Sequence, residues 1–232
     1  MSRPIHLAVA SPSADATRRQ IIKAASHQFG RRPYHEVGLD DILAEAGLTK
    51  GALYFHFTSK QALATAIIDE QTAVMTIAMQ DLLSRALSGL ETLIDFSFLV
   101  AVQDIKSALF RAALNLIETV GHPQGRHRDI FGEWIKTLAA VVEQAIAEGD
   151  IDESCGPEDL ARMMLSAHMG LRKTSSLDEP ERFIRDLQKC WTLLLNGILR
   201  QDRNEYFDQF LRRRTALAVQ QTPAFRHETA SG

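Results

Sequence analysis

The segment from residue 39 to residue 57 places the strongest constraint on how this chain can fold. Its first half carries apolar residues at helical offsets, namely Leu39, Ile42, Leu43 and Ala46. Gly47 suits the left-handed conformation that ends a helix, and Thr49 is a good N-cap for the next helix. Two short helices joined by such a turn form a helix-turn-helix, whose second helix is shaped to enter the major groove of DNA.

The second helix of this motif has two different sides. At about 100° per residue, one arc is shared by Lys50, Gly51, Tyr54 and Phe55. Leu53 points the opposite way, and we predict that Leu53 and Phe57 hold the helix to its own domain. Because Gly51 has no side chain, the backbone can approach a duplex closely there. The alternative is an ordinary pair of surface helices that does not contact DNA.

Lysine opens two successive helices, although the helix dipole disfavours a cation at that end. Lys50 follows the Thr49 cap, and Lys60 follows a second predicted cap at Ser59. Helix N-termini bind anions through their free backbone N–H groups. We therefore expect both lysines to face DNA phosphates.

Residues 17–70 resemble the DNA-binding domain of the TetR family of transcriptional regulators. The run Thr-Lys-Gly-Ala-Leu-Tyr-Phe-His-Phe at residues 49–57, followed by Ser59-Lys60, is close to the hallmark of that family. With Leu63-Ala64 and Ala66-Ile67 after it, the run looks most like the γ-butyrolactone (A-factor type) receptor branch.

The resemblance implies which residues contact DNA: Arg18, Gly38, Thr49, Lys50, Gly51, Tyr54, Phe55, His56 and Lys60. Three positions depart from the family pattern. Pro33 stands before Tyr34 where Gly is usual, Gly38 stands where Thr or Ser usually caps the first helix of the motif, and Leu43 stands where Ala is common. Glycine is a weaker cap that is still tolerated.

The pattern along the chain predicts an all-α protein, with a three-helix DNA-binding head and a larger helical domain for ligand binding and dimerisation. We expect a mobile arm over residues 1–14, the head over 15–59, the helical domain over 60–217 and a disordered tail over 218–232. The first head helix should span 15–31, and a long helix should run from 60 to about 87, with a break near Gly89. Further helices are expected over 90–102, 106–120, 129–148, 157–173, 181–200 and 205–214.

Charge is divided unevenly along the chain. Residues 1–60 hold eight Lys or Arg and five Asp or Glu, whereas the remainder holds 18 basic and 24 acidic residues. A basic head on an acidic body suits a DNA reader with a separate second domain. Two isolated cysteines, Cys155 and Cys190, favour a reducing cytoplasm. The apolar stretch 5–10 is too short for a signal sequence or a membrane span, so we expect a cytoplasmic protein without a membrane partner.

The sequence has no signature of an enzyme: it lacks a dinucleotide fingerprint, a P-loop, a nucleophile elbow and a zinc-protease motif. We therefore expect no cofactor. His122 and His127 flank a Gly-rich turn, where a metal is one interpretation and solvated histidines are the favoured one. His168 lies among apolar residues and is interpreted as a satisfied core histidine, and the run Arg212-Arg213-Arg214 as a solvated helix end.

A wide apolar stripe marks the helix around Trp134: Phe131, Trp134, Ile135, Leu138, Val141 and Ile146. Such a stripe fits either a deeply buried core helix or a cavity in which Trp134 covers a ligand. The resemblance favours the cavity, since the butyrolactone branch places a ligand-covering Trp on this helix. The candidate lining residues, each of which also fits plain core, are Trp134, Phe96, Phe98, Leu99, Gln103, Phe110, Leu114 and Leu138.

The last long helices predict a homodimer. Phe183, Leu187, Trp191, Leu194 and Ile198 form one stripe, and a second stripe on the preceding helix holds Leu160, Met163, Met164, Ala167 and Leu171. Two half-sites on palindromic double-stranded DNA are expected. The sequence therefore predicts a repressor released by a small, mostly apolar inducer. The competing hypothesis is a ligand-blind dimer that binds DNA constitutively.

Overall fold

The computed structural model describes residues 12–120 and 126–222. Within those ranges the regular structure is helical, apart from a single β-bridge between Ile151 and Leu199. The predicted all-α fold class is therefore confirmed. The helices are α1 (Pro12–Arg31), α2 (Leu39–Ala46), α3 (Lys50–His56), α4 (Lys60–Leu83), α5 (Gly89–Lys106), α6 (Ala108–Thr119), α7 (Arg126–Ala147), α8 (Pro157–Thr174), α9 (Pro180–Ile198) and α10 (Asn204–Gln221).

The chain divides into two compact units. The first, here called the head, comprises residues 1–71 and 108–123, and the second, here called the body, comprises residues 72–107 and 124–232. This division differs in two respects from the boundary expected at residue 60. The first half of α4 belongs to the head, and so does α6, which the sequence had grouped with the ligand-binding domain.

Packing against α1 explains why α6 is part of the head. Its apolar face, with Phe110, Leu114 and Ile117, is buried. The side-chain amide of Asn115 donates to the backbone oxygen of Phe29 at 3.1 Å. The approach of the two helices is close at Gly30, where a Cβ atom would lie 3.4 Å from the Ala108 carbonyl oxygen. The partner of an amphipathic helix cannot be read from its own periodicity, so the sequence could not assign α6.

The helix-turn-helix forms as its turn chemistry predicts. Gly47 adopts the left-handed conformation at φ 64° and ψ 33°, where a side chain would be strained. The Thr49 hydroxyl accepts a hydrogen bond from the Ala52 N–H at 3.3 Å, which caps α3. The Ser59 hydroxyl does the same for α4 by accepting from the Ala62 N–H at 3.0 Å.

Three predicted boundaries are corrected by the structure. Helix α1 begins at Pro12, so residues 12–14 of the predicted arm are helical, while residues 1–11 lie outside the described chain. Helix α4 ends at Leu83 rather than near residue 87. Helix α10 extends to Gln221, so residues 218–221 of the predicted tail are helical, while residues 223–232 again lie outside.

The predicted break near Gly89 is present over residues 84–88, and Gly89 itself is the first residue of α5. The Ser88 side chain caps this helix by accepting from the Glu91 N–H at 3.3 Å, and the Glu91 carboxylate accepts in return from the Ser88 N–H at 2.7 Å. A Cβ atom on Gly89 would lie 2.6 Å from the Ala145 backbone nitrogen. Glycine is therefore required there because α5 approaches the backbone of α7.

The core of the body forms between the inner faces of α5, α7, α8, α9 and α10. Its largest buried side chains include Leu93, Phe98, Phe183, Trp191 and Phe207. Buried carboxylates on its inner surface are paired. Asp95 bonds to Arg214, and Asp150 accepts from Arg203 at 2.6 Å. The predicted solvated run at residues 212–214 is thus only partly solvated, since Arg212 is exposed while Arg214 pairs with a buried acid.

By length and composition, α4 is the one helix in the described chain that could cross a membrane. Its apolar residues have another explanation in the head, where Leu63, Ala64, Ile67 and Ile68 are buried. The same composition is expected of a core helix in a globular protein.

Candidate DNA-binding surface and ligand-binding residues

The outward side of α3 presents large and basic side chains to solvent. Phe55 is 79% exposed and Tyr54 is 50% exposed, while Leu53 and Phe57 are buried as predicted. The Lys50 ammonium is exposed and lies 3.2 Å from the Asp40 carboxylate. Gly51 is exposed as well, and a Cβ atom there would lie in ordinary contact with the Thr49 hydroxyl oxygen at 3.9 Å. We call Lys50, Gly51, Tyr54 and Phe55 the α3 face.

Exposure of the aromatic side chains of the α3 face to water is unfavourable in free energy. Phe55 is the most exposed aromatic side chain in the described part of the chain, and its ring packs at right angles to that of His56 with centroids 5.0 Å apart. Tyrosine and phenylalanine can contact thymine methyl groups and sugars, and the Lys50 ammonium can bind phosphate or guanine. The face therefore combines apolar, hydrogen-bonding and cationic groups on one rigid helix.

Gly38 opens α2 with an extended backbone and has no side chain with which to cap it. The cap is supplied from the other direction, because the Asp41 carboxylate accepts from the Gly38 N–H at 2.9 Å and pairs with Arg32 at 3.2 Å. The hydrogen bond from Gly38, followed by the contact with Arg32, lowers the pKa of Asp41. Gly38 thus departs from the family pattern without leaving α2 uncapped.

The Lys60 side chain is engaged within the head, and its predicted contact with phosphate stays a prediction. Its ammonium donates to the carbonyl oxygens of Tyr34 and Val37, both at 2.9 Å, and lies 4.1 Å from the centroid of the Tyr34 ring. Desolvation by burial lowers its pKa. The 3-10 turn Tyr34–Glu36 directs these carbonyls at the start of α4, which the sequence alone could not reveal.

Arg18 is also engaged within the head. Its guanidinium lies 3.5 Å from the Glu70 carboxylate and 5.5 Å from the centroid of the Phe57 ring. The cation therefore packs over an aromatic residue that anchors α3. These contacts support a role for Arg18 in bracing the motif, and its predicted contact with DNA stays a prediction.

The eight predicted ligand-lining residues do not fall in one unit, and Phe98 is buried in the core of the body. Trp134, Leu138, Phe96 and Leu99 lie in the body, while Phe110 and Leu114 are buried in the head on α6. Trp134 is half-buried, with its ring centroid 5.7 Å from that of Phe131, and Leu138 is buried. Gln103, expected to be the most diagnostic polar residue between apolar turns, is exposed on α5. Its neighbour Asp104 points inward instead.

A buried polar cluster formed by Asp104, His168 and Arg172 was missed by the sequence reasoning. The Asp104 carboxylate accepts from Arg172 Nε at 2.5 Å and from Nη2 at 3.4 Å, and its Oδ2 atom lies 3.7 Å from His168 Nε2. His168 is buried as expected, yet neither ring nitrogen has a hydrogen-bond partner in the described chain. The sequence feature that could have indicated this cluster is Asp104, an acidic residue among the apolar residues Ala101, Val102 and Ile105.

The predicted dimer stripes are largely part of the core of one protomer. Leu160, Met164, Leu171, Phe183, Leu187, Trp191 and Ile198 are all buried in the single chain. These seven side chains are therefore core residues of the single chain, whereas Met163 of the same predicted stripes is exposed. An interface on α8 and α9 stays a prediction. The large apolar side chains that α8 and α9 leave exposed are Met163, at 49%, and Leu193, at 74%.

Metal-ligating groups give no candidate site among the described residues, where no group of three or more His, Cys, Asp or Glu side chains could hold an ion. His122 and the side chain of His127, which the sequence singled out, lie outside the described part of the molecule.

Comparison with known families finds two matches. A family described as bacterial regulatory proteins, tetR family, matches residues 21–67, which include α2 and α3. A family described as tetracyclin repressor-like, C-terminal domain, matches residues 87–200, which include α5 to α9.

Individual relatives extend this similarity along the chain. The A-factor receptor protein of Streptomyces griseus is 29% identical over 188 residues, an alignment that covers 78% of this chain and 63% of the receptor. The chain thus matches less than two thirds of the length of that relative.

Two solved structures are similar over most of their length. A crystal structure of a gamma-butyrolactone receptor, an ArpA-like protein, is 30% identical with a TM-score of 0.78 and covers 88% of this chain and 99% of its own. CprB from Streptomyces coelicolor, solved in complex with its operator sequence, is 31% identical with a TM-score of 0.73 and covers 89% and 96%.

Proposed function

This chain belongs to the TetR family of transcriptional regulators and is related to the butyrolactone receptors, and we propose that it is a repressor released from its operator by a small ligand. The ligand is mostly apolar and of the butyrolactone type. The observation that carries the proposal is the α3 face, where Tyr54 and Phe55 are exposed on a helix anchored by buried Leu53.

DNA binding follows from the chemistry of that face. Exposed aromatic residues lower solubility unless a partner covers them, and the Lys50 ammonium beside them suits a polyanion. The structural likeness to CprB, a TetR family protein solved with its operator, supports DNA binding by this chain. Recognition by α3 in the major groove would place Lys50 and Tyr54 on base edges and phosphates.

A homodimer on a palindromic operator is the second part of the proposal. One helix-turn-helix buries too little surface for specificity, so two copies related by a two-fold axis are needed. The exposure of Met163 and Leu193 supports the outer faces of α8 and α9 as the surface between the copies.

Ligand binding in the body is the third part. Trp134 is half-buried on α7 and can cover an apolar compound while its indole N–H donates a hydrogen bond. The similarity to the A-factor receptor and to a gamma-butyrolactone receptor supports a lactone. The competing hypothesis, a ligand-blind dimer, predicts that no lactone changes operator affinity.

Coupling between ligand and DNA is assigned to α4. This helix is continuous from Lys60 to Leu83, and its residues divide between the head and the body. A ligand that binds one arrangement of α4 better than another shifts the population of the DNA-binding state, with a coupling of roughly 1–3 kcal/mol. We place the protein in the cytoplasm as a regulator rather than an enzyme.

The proposal is tested by selecting the operator from a pool of random duplexes and then titrating the complex with a γ-butyrolactone. We expect the selected sequences to contain an inverted repeat that binds the dimer. Fluorescence anisotropy should show release of that duplex as the lactone is added. A protein that selects no sequence refutes DNA recognition, whereas stable binding at saturating lactone favours the ligand-blind alternative.

A further inference from the structure

His168 stands apart within the buried cluster of the body. The residue is 9% exposed, and no described residue lies within hydrogen-bonding distance of either ring nitrogen in suitable geometry. Buried polar atoms in folded proteins nearly always have partners, so an orphaned imidazole requires an explanation. A bound ligand that supplies the missing partner is one such explanation.

Asp104 determines which ring nitrogen of His168 can accept a hydrogen bond from a ligand. Its Oδ2 atom lies 3.7 Å from His168 Nε2, and the same carboxylate is held by Arg172. The negative charge favours the tautomer that carries the proton on Nε2, because that N–H then faces the carboxylate. Nδ1 is left with a lone pair and serves as a hydrogen-bond acceptor.

The surroundings of His168 favour an uncharged group as its hydrogen-bond partner. Burial, together with the positive charge of Arg172, lowers the pKa of His168 to about 3, so the ring is neutral near pH 7. Asp104 and Arg172 balance each other's charge, and the Phe183 ring packs at right angles to the imidazole with centroids 6.2 Å apart. A carboxylate or ammonium on the ligand would bring an unbalanced charge into this interior.

We propose that His168 Nδ1 accepts a hydrogen bond from a hydroxyl group of the inducer, and that His168 thereby selects an uncharged, mostly apolar compound that carries an alcohol. The inference rests on the proposed ligand response and adds the chemical group that the body recognises. His168 lies on α8, which packs against α7, the helix that carries Trp134. In this proposal α8 supplies the polar contact and α7 the apolar one.

Pairs of probes that differ by one oxygen test this assignment on the full-length protein. Each pair is a γ-butyrolactone with an alkyl side chain that bears a hydroxyl, and the same compound with hydrogen in its place. The hydroxyl is moved along the side chain from pair to pair. By calorimetric titration, the wild type should bind the hydroxylated member of one pair about tenfold more tightly, as one hydrogen bond to a buried partner allows.

The variants separate recognition from packing. His168→Leu should bind both members of that pair equally, and His168→Gln, which keeps an acceptor, should retain part of the preference. Met164→Leu is the matched control, since it changes a buried apolar residue one turn away on α8 and should leave the preference intact. A purely structural role would weaken both members alike and leave their ratio unchanged.

The outcomes of these titrations distinguish the assignment of His168 from the proposed response to lactones. If wild-type protein is released from DNA by lactones but prefers the hydroxylated member of no pair, or if His168→Leu keeps the preference, the assignment of His168 is wrong and the ligand response stands. If no lactone binds or releases the protein, the lactone response fails and the assignment fails with it. If His168→Leu does not fold, a wild-type protein without a preference still refutes the assignment, and His168→Gln supplies the comparison of the ratio.

Discussion

Helices α3 and α9 both carry large aromatic residues, but they present them in opposite directions. On α3, Tyr54 and Phe55 are exposed while the aliphatic Leu53 faces the core. On α9, Phe183 and Trp191 are buried and the aliphatic Leu193 is 74% exposed. The comparison shows that aromatic content alone does not tell whether a helix faces its own core or a partner.

The difference arises from length and local chemistry. Helix α3 has seven residues and a glycine in its first turn, so two anchors, Leu53 and Phe57, are sufficient to hold it. Helix α9 has 19 residues and an inner face that packs against α5, α8 and α10. A short helix that leaves its largest side chains exposed is specialised for an external partner, whereas a long amphipathic helix first completes the fold.

The largest expected effect separates the two sides of α9. Leu187→Arg would bury an unpaired charge in the core of the body, which should lower the free energy of unfolding by about 4 kcal/mol. Leu193→Arg places the same charge on the exposed side and should leave the fold intact while dissociating the dimer. Thermal unfolding and light scattering measure both results. A stable, monomeric Leu187→Arg protein would restore the original assignment of this stripe to the interface.

Trp134→Ala tests whether the body has a role beyond packing. Loss of the ligand contacts should weaken lactone binding by about 3 kcal/mol, while operator affinity stays close to that of the wild type. Anisotropy with and without lactone, together with the melting temperature, measures this. Concerted loss of stability and operator binding would instead identify Trp134 as a core residue alone.

Lys60→Met tests whether that lysine stabilises the head or contacts DNA phosphate. The variant keeps the apolar stem but loses the donors to the Tyr34 and Val37 carbonyls, so we expect a loss of about 2 kcal/mol in stability. Operator affinity should fall through disorder of the turn before α2, with the salt dependence of binding unchanged. A log–log salt slope that is smaller by about one unit would show that Lys60 contacts phosphate after all.

The smallest expected effect is on the pH dependence of the free energy of unfolding, and it concerns the body alone. The pKa of His168 in the folded protein, about 3, is below its unfolded value, so the unfolded state binds the proton first as pH falls. Its stabilising contribution is therefore present above pH 6.5 and is lost progressively toward pH 3. The Asp104 carboxylate lies beside the ring and pairs with Arg172.

Between pH 7 and pH 5.5 the loss should be about 1 kcal/mol, most of which His168→Gln should abolish. Denaturant titrations of both proteins at the two pH values give the comparison. Equal slopes for wild type and variant would mean that His168 is not buried as a neutral ring.

The sequence predicted those parts of the molecule that depend on local chemistry. The caps at Thr49 and Ser59, the left-handed turn at Gly47 and the buried anchors of α3 follow from residues close together in the chain. What it could not predict depends on tertiary contacts. In the structure, Lys60 binds the carbonyl oxygens of residues 34 and 37, and α6 packs in the head. Neither contact could be predicted, because the partners lie far from Lys60 and from α6 in the sequence.

The same limit applies to the body. The stripes on α8 and α9 were correctly found as apolar faces, but periodicity does not distinguish a core from an interface. Asp104 and Arg172 are 68 residues apart in the sequence, so their ion pair and the orphaned His168 beside it emerge only in the folded chain. Gln103 and Asp104 show how one step along a helix exchanges an exposed side chain for a buried one.

The central claim, that the exposed side of α3 reads DNA while its buried side only holds the fold, is tested most directly by the operator affinity of the Lys50→Ala, Tyr54→Ala double variant. We predict that this variant loses operator binding in anisotropy titrations, whereas its melting temperature stays within a few degrees of that of the wild type. Arg212→Ala, which removes an exposed cation from the body, should bind normally. Wild-type operator affinity in the double variant would contradict the assignment of α3 as the recognition helix.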